Sequence, residues 1–336
     1  MKQKFLVIQT AFLGDAILAT GLLEKLHAYF PEAAIDFLVR KGNDGLFNGH
    51  PFINELLVWN KKEGKLSNLW KMLQKIRKNN YDKVINVQRF AATGMLTAFS
   101  GAKEKIGFDK NPLSFLFTRS VPHVISTDAQ PLHEVERNNA LIRHFTDDKV
   151  FNPVLYPLAE DYQKVSAYKK LPYICIGPAS IWFTKQYPKE KWISFINRLP
   201  QGLNVFLLGA PNDSELAEDI RASTTYPAIT NLCGSLSFLQ SAALMKDAVM
   251  NYVNDSAPMH LASSVNAPVT AVYCSTVPSF GFGPLSARQS IVEIPHPLYC
   301  RPCGLHGYRA CPEGHFRCAL EIRDEQLLSS IDQPIE

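Results

Sequence analysis

Short apolar runs alternate with stretches of helical period along the chain, and the whole pattern occurs twice. In the first half it predicts strands at 4–9, 34–39, 54–58 and 83–87 and helices at 15–30 and 66–78. Polar residues and prolines dominate from about 128 to 162. The second half predicts strands at 173–177, 205–209, 248–253 and 269–274, with helices at 189–199, 213–222 and 259–265. This alternation indicates an α/β fold of parallel sheets covered by helices on both faces.

The length of the chain agrees with this twofold pattern. A chain of 336 residues suits two domains of about 150 residues each. We place the domains at 1–160 and 161–336, with the C-terminal tail free to pack back on the first. Open α/β sheets bind ligands outside the carboxyl ends of their strands. Two such sheets are therefore expected to face a central cleft and to close about a linker near residue 160.

Composition and charge narrow the class of protein. With 46% hydrophobic and 20% charged residues the chain reads as an ordinary soluble globular protein. The net charge of +4 comes from the first 160 residues, which hold 21 Lys and Arg against 16 Asp and Glu. This modest excess is no nucleic-acid signature. It suits an anionic acceptor or an anionic membrane surface, and equally a solvated surface.

The N-terminal sequence bears on location. Two lysines precede an apolar stretch, as in a signal peptide, but Asp15 interrupts it and no small-residue cleavage site follows. No run approaches the ~18 apolar residues of a membrane-spanning helix. We expect a cytoplasmic protein that meets a membrane, if at all, from its surface.

The first candidate motif joins the first predicted strand to the first predicted helix. It reads QTAFLGDAI over residues 9–17. Gly14 allows a tight backbone path, and Asp15 then falls at the start of the helix. An aspartate there can be a plain N-cap. It can also be a general base that takes a proton from an attacking hydroxyl. The motif alone is compatible with both interpretations.

Two further motifs follow strands of the second half. Residues 177–188 read GPASIWFTKQYP and offer backbone N–H groups, hydroxyls and Lys185 to a phosphate, together with the positive end of the next helix. The spacing matches neither a P-loop nor a dinucleotide fingerprint. Residues 254–262 read NDSAPMHLA, with Ser256 a candidate N-cap and His260 one turn into the helix. An exposed lysine, a capped buried helix and a structural histidine are the alternatives.

Taken together, the motifs resemble those of glycosyltransferase family 9, the bacterial ADP-heptose:lipopolysaccharide heptosyltransferases. The resemblance spans nearly the whole chain. It is strongest at FLGDAI from Phe12, KQYP from Lys185 with Trp192, LGA from Leu208 and DSAPMH from Asp255. It implies a GT-B fold, in which two Rossmann-like domains bind the acceptor and the nucleotide-sugar donor respectively.

The resemblance also implies roles for individual residues. Asp15 would be the catalytic base, and Lys185 would act on the diphosphate of the donor. The remaining donor-binding candidates are Ser180, Thr184, Asp255, Ser256 and His260, with either Asp213 or Glu215 at the ribose. The resemblance further implies no cofactor and a reaction that is metal-independent or nearly so, in agreement with the absence of an Asp-x-Asp motif.

Two features remain beside these motifs. Cys300, Cys303, Cys311 and Cys318 lie in one short segment and could hold a structural zinc, but their spacing is irregular and we expect no metal there. The predicted helix at 66–78 sets lysines opposite an apolar stripe. Such a helix can lie on an anionic membrane, although packing of the stripe on the sheet is the commoner outcome.

The expected activity is an inverting transfer of heptose or a related sugar, with ADP-heptose as donor and a lipopolysaccharide core or related anionic glycolipid as acceptor. Nucleic acid is not an expected partner. One alternative is a nucleotide-sugar epimerase of similar fold, which would turn over the donor without an acceptor. Another is a non-catalytic protein that binds glycans or nucleotides.

Overall fold

The computed structural model describes residues 2–61, 64–127 and 130–331. The chain divides between Tyr156 and Pro157 into two compact units, each with its own six-stranded sheet and its own core. Among the described residues, none of the helices is both long enough and apolar enough to cross a membrane.

The first unit is a doubly wound sheet with the strand order β3-β2-β1-β4-β5-β6, all neighbours parallel. Its strands are β1 (Lys4–Ile8), β2 (Ala34–Arg40), β3 (Ile53–Trp59), β4 (Lys83–Asn86), β5 (Glu104–Phe108) and β6 (Arg119–Val121). Its helices are α1 (Leu13–Leu18), α2 (Thr20–Tyr29), α3 (Lys65–Asn79), α4 (Ala91–Ala98) and α5 (Glu134–Ala140).

The second unit repeats this topology in the order β12-β11-β10-β7-β8-β9. Its strands are β7 (Tyr173–Gly177), β8 (Asn204–Leu207), β9 (Ile229–Asn231), β10 (Met250–Asn254), β11 (Val269–Tyr273) and β12 (Gln289–Glu293). Its helices are α6 (Ala159–Val165), α7 (Lys189–Asn197), α8 (Ser214–Ser223), α9 (Phe238–Lys246), α10 (Ala257–Ser264), α11 (Arg317–Leu320) and α12 (Asp324–Leu328). The predicted α/β class with two Rossmann-like parallel sheets is confirmed.

The helix predicted at 15–30 is in fact two helices, α1 and α2, which meet at Ala19. The Thr20 hydroxyl donates to the carbonyl of Ile17 and accepts from the amide of Val154. The chain near Phe151 also passes so close to Gly21 that a Cβ there would lie 2.5 Å from the Phe151 carbonyl oxygen. Gly21 thus leaves room for the returning segment and Thr20 binds it, and hydrophobic period encodes neither contact.

Helix α3 buries only part of its predicted apolar stripe. Leu69, Leu73 and Ile76 pack into the core of the first unit. Leu66 and Trp70 are instead 79% and 60% exposed. The packing interpretation of this helix is therefore confirmed for Leu69, Leu73 and Ile76 and wrong for Leu66 and Trp70.

The end of the chain completes the core of the second unit. Leu327 of α12 is fully buried in that core, and the Tyr252 hydroxyl of β10 donates to its carbonyl. The predicted return of the tail to the first domain concerns in part residues 332–336, which lie outside the described residues. It stays a prediction.

A buried carboxyl in the first unit gives the stability of the protein a pH dependence. Glu24 of α2 accepts hydrogen bonds from the Tyr156 hydroxyl at 3.1 and 2.9 Å, and its Oε1 lies 3.8 Å from Nε2 of His50. Burial raises the pKa of Glu24 to about 7. Because the unfolded chain releases this proton near its ordinary pKa, the contribution of Glu24 to stability falls as pH rises from about 4.5 to about 7.

We therefore expect Glu24→Gln to stabilise the protein more at pH 8 than at pH 5, by about 2 to 3 kcal/mol in the free energy of unfolding. Burial lowers the pKa of His50 to about 4, so that residue acts with the opposite sign below its ordinary pKa. His50 contributes in the same way in the wild type and in Glu24→Gln. The difference in unfolding free energy between the two proteins therefore reports on Glu24. Urea denaturation at the two pH values measures the effect; an equal difference at both would contradict the assignment.

Candidate functional site

Most candidate residues of each unit lie at the carboxyl ends of its two central strands, and Asp213 and Glu215 follow the neighbouring strand β8. In the first unit the central strands are β1 and β4, and in the second they are β7 and β10. The chain connections leave each central pair in opposite directions, which opens a crevice above the sheet edge. The motifs found in the sequence thus fall at the usual ligand position of both sheets.

Asp15 is the third residue of α1, and Phe12 is the N-cap residue. The interpretation of Asp15 as an N-cap is therefore wrong. Its half-buried carboxylate lies in the first helical turn, where unpaired backbone N–H groups favour negative charge.

The loop that precedes α1 is held by buried side-chain amides. Gln88, which follows β4, donates to Oε1 of Gln9 at 2.6 Å and accepts from the Thr10 hydroxyl at 2.7 Å. Lys61 donates to both oxygens of Thr10 at 2.8 Å. Gln9, Thr10 and Gln88 are each less than 5% exposed. The approach to Asp15 is consequently rigid, and its supports come from strand ends far away in sequence.

A buried ion pair in α5 lies within electrostatic range of Asp15. Arg137 donates to Oε2 of Glu134 through Nε at 2.8 Å and through Nη2 at 2.5 Å. Burial raises the pKa of Glu134, the Arg137 charge opposes that rise, and the Asp15 charge adds to it. Sequence reasoning missed this pair. His133 and Glu136 form a capping box, and this pattern could have revealed from the sequence the start of the helix that carries the pair.

Lys185 and Asp255 form an ion pair in the second unit. The Lys185 ammonium lies 2.6 Å from Oδ2 of Asp255, and their side chains are only 15% and 8% exposed. The alternative of a solvent-exposed lysine is therefore wrong. A mostly buried cation at the crevice of a sheet is suited to hold an anionic group, and its carboxylate partner fixes its position.

Hydrogen bonds from the loop after β11 hold this pair in position. The Thr276 hydroxyl donates to the same Asp255 oxygen at 2.6 Å. Arg301 donates to the carbonyls of Cys274 and Thr276 at 2.8 and 2.7 Å and pairs with Glu293 at 2.7 Å. Neither Thr276 nor Arg301 was a candidate in the sequence, because nothing local links residues 276 and 301 to residue 185.

Asn254 at the end of β10 locks the loop that carries Lys185. Its side-chain amide, fully buried, donates to the carbonyl of Pro178 at 2.9 Å and accepts from the amide of Tyr187 at 2.8 Å. The conformation of the loop is thus set by the neighbouring strand. A residue of the 254–262 motif therefore sets the backbone conformation of the loop at 177–188.

The other donor-binding candidates of these two motifs differ in accessibility. Ser180 is half-buried in the loop, and its backbone N–H donates to the Gln186 side chain. Thr184 is buried, and its hydroxyl oxygen accepts from Ser275 and from the amide of Tyr308. Ser256 is the N-cap residue of α10, although its side chain makes no capping bond, and His260 is buried in the same helix. Thr184 has a clear structural use, whereas Ser180 and Ser256 remain reachable by a ligand.

Asp213 and Glu215 follow β8 and are distinguished by their surroundings. Oδ2 of Asp213 accepts the amide of Ala210 at 2.8 Å and so caps the short 3₁₀ turn Pro211–Asp213. Glu215 is exposed in the first turn of α8. Of the two acidic candidates, Glu215 is thus the one that has no capping task here.

The four C-terminal cysteines are all reduced and lie near one another. Burial and the neighbouring thiols raise the pKa of Cys303, and the same causes raise the pKa of Cys318 to about 12. In the part of the chain that the structure describes, no group of three or more His, Cys, Asp or Glu side chains is arranged to hold a metal. The loop also has a structural task, because the amide of Cys303 donates to the Ser275 carbonyl at 2.9 Å.

Comparison with known proteins gives one consistent result. Residues 69–307 match glycosyltransferase family 9 (heptosyltransferase). Lipopolysaccharide heptosyltransferase 3 of Escherichia coli K12 is 29% identical over 278 residues, which cover 78% of this chain and 80% of that protein. The structure of E. coli ADP-heptose lps heptosyltransferase II matches with a TM-score of 0.78 and 21% identity, over 99% of this chain and 98% of that one. E. coli heptosyltransferase WaaC with ADP-2-deoxy-2-fluoro heptose matches with a TM-score of 0.68 and 19% identity, over 87% and 94% of the two chains.

Proposed function

Because this chain belongs to glycosyltransferase family 9, the heptosyltransferases, we propose that it transfers a heptose from ADP-heptose to a lipopolysaccharide-type glycolipid, with inversion at the anomeric carbon. The observation that carries the donor half of this proposal is the Lys185–Asp255 pair at the crevice of the second sheet. The donor itself is proposed by analogy with the complexes of the structural relatives.

In the proposed reaction, Asp15 accepts the proton of the acceptor hydroxyl while that oxygen forms its bond to the anomeric carbon. The bond from this carbon to the diphosphate oxygen breaks, and its electron pair leaves with ADP. Attack from the face opposite the leaving group inverts the anomeric centre. The rigid loop ahead of α1 supports the base assignment, because a general base must be held in position to be effective.

In the second unit, Lys185 is proposed to stabilise the negative charge that grows on the departing diphosphate. The N-terminal turn of α10 and the hydroxyls of Ser180 and Ser256 supply further donors at the same strand ends. Glu215 is proposed to contact the ribose, because the carboxylate of Asp213 already caps its own turn. Thr184, Asp255 and His260 then shape this donor site.

The decisive experiment incubates the purified protein with ADP-heptose in the presence and absence of a heptose-deficient lipopolysaccharide acceptor. Transfer that requires acceptor, with little loss of donor alone, is the expected result. UDP-glucose and GDP-mannose serve as matched donors that should be used poorly. Turnover of donor without acceptor would indicate an epimerase or hydrolase instead. Saturable binding without turnover under any condition would indicate a non-catalytic binding protein.

Thr276 offers a milder test of the donor site. Thr276→Val removes the hydrogen bond to Asp255 and is expected to raise the KM for the donor by about 3- to 10-fold, with a smaller change in kcat. Thr276→Ser keeps the hydroxyl and should stay close to wild type. Steady-state kinetics with varied donor measure both. Equal losses in the two variants would show that the hydrogen bond from residue 276 is not what the donor site requires.

Metal independence is a further prediction. Because Lys185 and the backbone N–H groups are proposed to neutralise the leaving group, transfer should keep more than about half its rate after dialysis against EDTA. Elemental analysis of the purified protein should find well below one zinc per chain. A stoichiometric metal that resists chelation would overturn our interpretation of Cys300, Cys303, Cys311 and Cys318.

A further inference from the structure

One side of the first unit exposes an unusual number of large apolar side chains. Phe90 and Phe115 are 64% and 77% exposed, in addition to the Leu66 and Trp70 side chains of α3. Together we name these residues the apolar face: Leu66, Trp70, Phe90, Met95, Phe99, Phe115 and Leu116. Single exposed apolar residues are ordinary, whereas a cluster of this size marks an interaction surface.

The elements that carry the apolar face are packed side by side. Helix α4 packs against α3 and against the 3₁₀ turn Ser114–Leu116. Asn111 ties that turn to the start of α4, because its side-chain amide donates to the Phe90 carbonyl at 3.1 Å. Met95 of α4 and its C-cap residue Phe99 are four residues apart and both exposed, while Leu96 is buried in the core.

Helix α3 turns its exposed apolar residues towards α4. On one flank of α3, Lys75 and Asn79 contact Glu55 of the edge strand β3 at 2.6 and 3.2 Å. Leu66 and Trp70 lie on the opposite flank by helical spacing. Because β4 and β5, which α4 connects, lie beyond β2 and β1 from β3, we place α4 on this flank of α3. The apolar face is therefore continuous from α3 across α4 to the 3₁₀ turn.

Basic side chains outnumber acidic ones around this face. Neither α3, nor α4, nor residues 112–116 contain an Asp or a Glu. One exposed acidic residue, Asp109, lies beside the 3₁₀ turn. The exposed basic side chains at this border are Lys71, Arg77, Lys78, Arg89 and Lys110. Two copies of the chain that met through this face would bring like charges together, which disfavours a homodimer. Aromatic side chains rimmed by lysine and arginine instead fit the interface of an anionic bilayer.

The face also adjoins the Asp15 loop. Phe90 and Arg89 directly follow Gln88, whose buried side chain holds Gln9 and Thr10. We infer that the apolar face docks the protein on anionic phospholipid, with Trp70, Phe90 and Phe115 inserted among the headgroups. In combination with the proposed function, docking through this face would hold the Asp15 loop near the membrane that carries a lipid-linked acceptor.

The test uses full-length protein and vesicles without any acceptor sugar, so its result does not depend on the transfer reaction. Vesicles of phosphatidylcholine with 30% phosphatidylglycerol should bind the wild type, and binding should weaken in high salt. The triple variant Trp70→Ser/Phe90→Ser/Phe115→Ser should bind roughly 30-fold more weakly. The control Leu171→Ser/Leu320→Ser removes isolated exposed leucines of the second unit and should bind like wild type. Melting temperatures verify that all variants are folded.

Trp70 fluorescence supplies an independent readout, since Trp59 and Trp192 are buried. The substitution Trp182→Phe removes the remaining tryptophan. In this variant, vesicles that contain brominated lipid should quench the fluorescence of Trp70. Absence of vesicle binding by the wild type, or equal binding by the triple variant, would overturn the inference. A wild-type dimer that the triple variant converts to a monomer would also overturn it, because the face would then serve a second copy of the chain.

Discussion

Replacing Asp15 by asparagine is expected to lower the rate of sugar transfer by about 100-fold or more while the protein stays folded. Positioned proton transfer is typically worth about 10²- to 10⁴-fold, and asparagine keeps the shape of the side chain without its basicity. Because Asp15 lies in the first turn of α1, the lost charge should cost only about 0.3 to 1 kcal/mol in stability. Donor binding should persist, since the proposed donor contacts lie in the second unit.

A matched control for this variant exists in the same chain. Asp161 is likewise the third residue of a helix, and its carboxylate accepts the amide of Leu158 at 2.9 Å. Asp161→Asn should therefore show a comparable small change in melting temperature with no effect on transfer. Transfer rate, donor affinity and melting temperature are measured for both variants. Full activity in Asp15→Asn would remove Asp15 from the role of base.

Removing the Lys185 charge is expected to lower kcat/KM for the donor by about 30- to 1000-fold. A charge-assisted contact to a leaving group contributes about 2 to 4 kcal/mol in the transition state. Lys185→Met is preferable to alanine because methionine keeps much of the apolar stem. The buried Asp255 would then lose its cation, and some loss of stability is also expected. The activity of the single variant alone would therefore not distinguish the lost contact to the diphosphate from the lost stability.

The double variant Lys185→Met/Asp255→Asn separates them. It removes both charges of the pair, so the buried carboxylate is no longer left without a cation. If Lys185 acts on the diphosphate, the double variant regains stability but stays about as inactive as Lys185→Met. Recovery of activity together with stability would show that Lys185 serves only to neutralise Asp255. Lys189→Ala, which removes a partly exposed lysine paired with Asp219, is the matched control and should remain active.

Sequence reasoning succeeded where the signal was local. The central strands were found because apolar runs of that length are typical of buried parallel strands. The strands β6, β9 and β12 at the sheet edges were missed because they are short or largely exposed and so carry no apolar run. The interior strand β5 was also missed, because it begins with Glu104 and Lys105 and contains Gly107. Helices α5, α6 and α9 were not predicted either, and α4 was missed because it contains no charged residue and therefore shows no polar face. These omissions did not affect the fold class, which depends on the alternation of the central elements.

For the candidate site, the sequence by itself determined which residues stand at the strand ends, because strand, loop and helix follow one another within a few residues of Asp15, Lys185 and Asp255. Only the tertiary structure decided their surroundings. The Lys185–Asp255 pair joins loops 70 residues apart, and Gln88 reaches Thr10 across 78 residues. Such contacts arise from the order in which parallel strands pair, and that order leaves no periodic trace in the chain. The exposure of Trp70 and Phe90 was decided in the same way, by which helix flanks the packed neighbours leave uncovered.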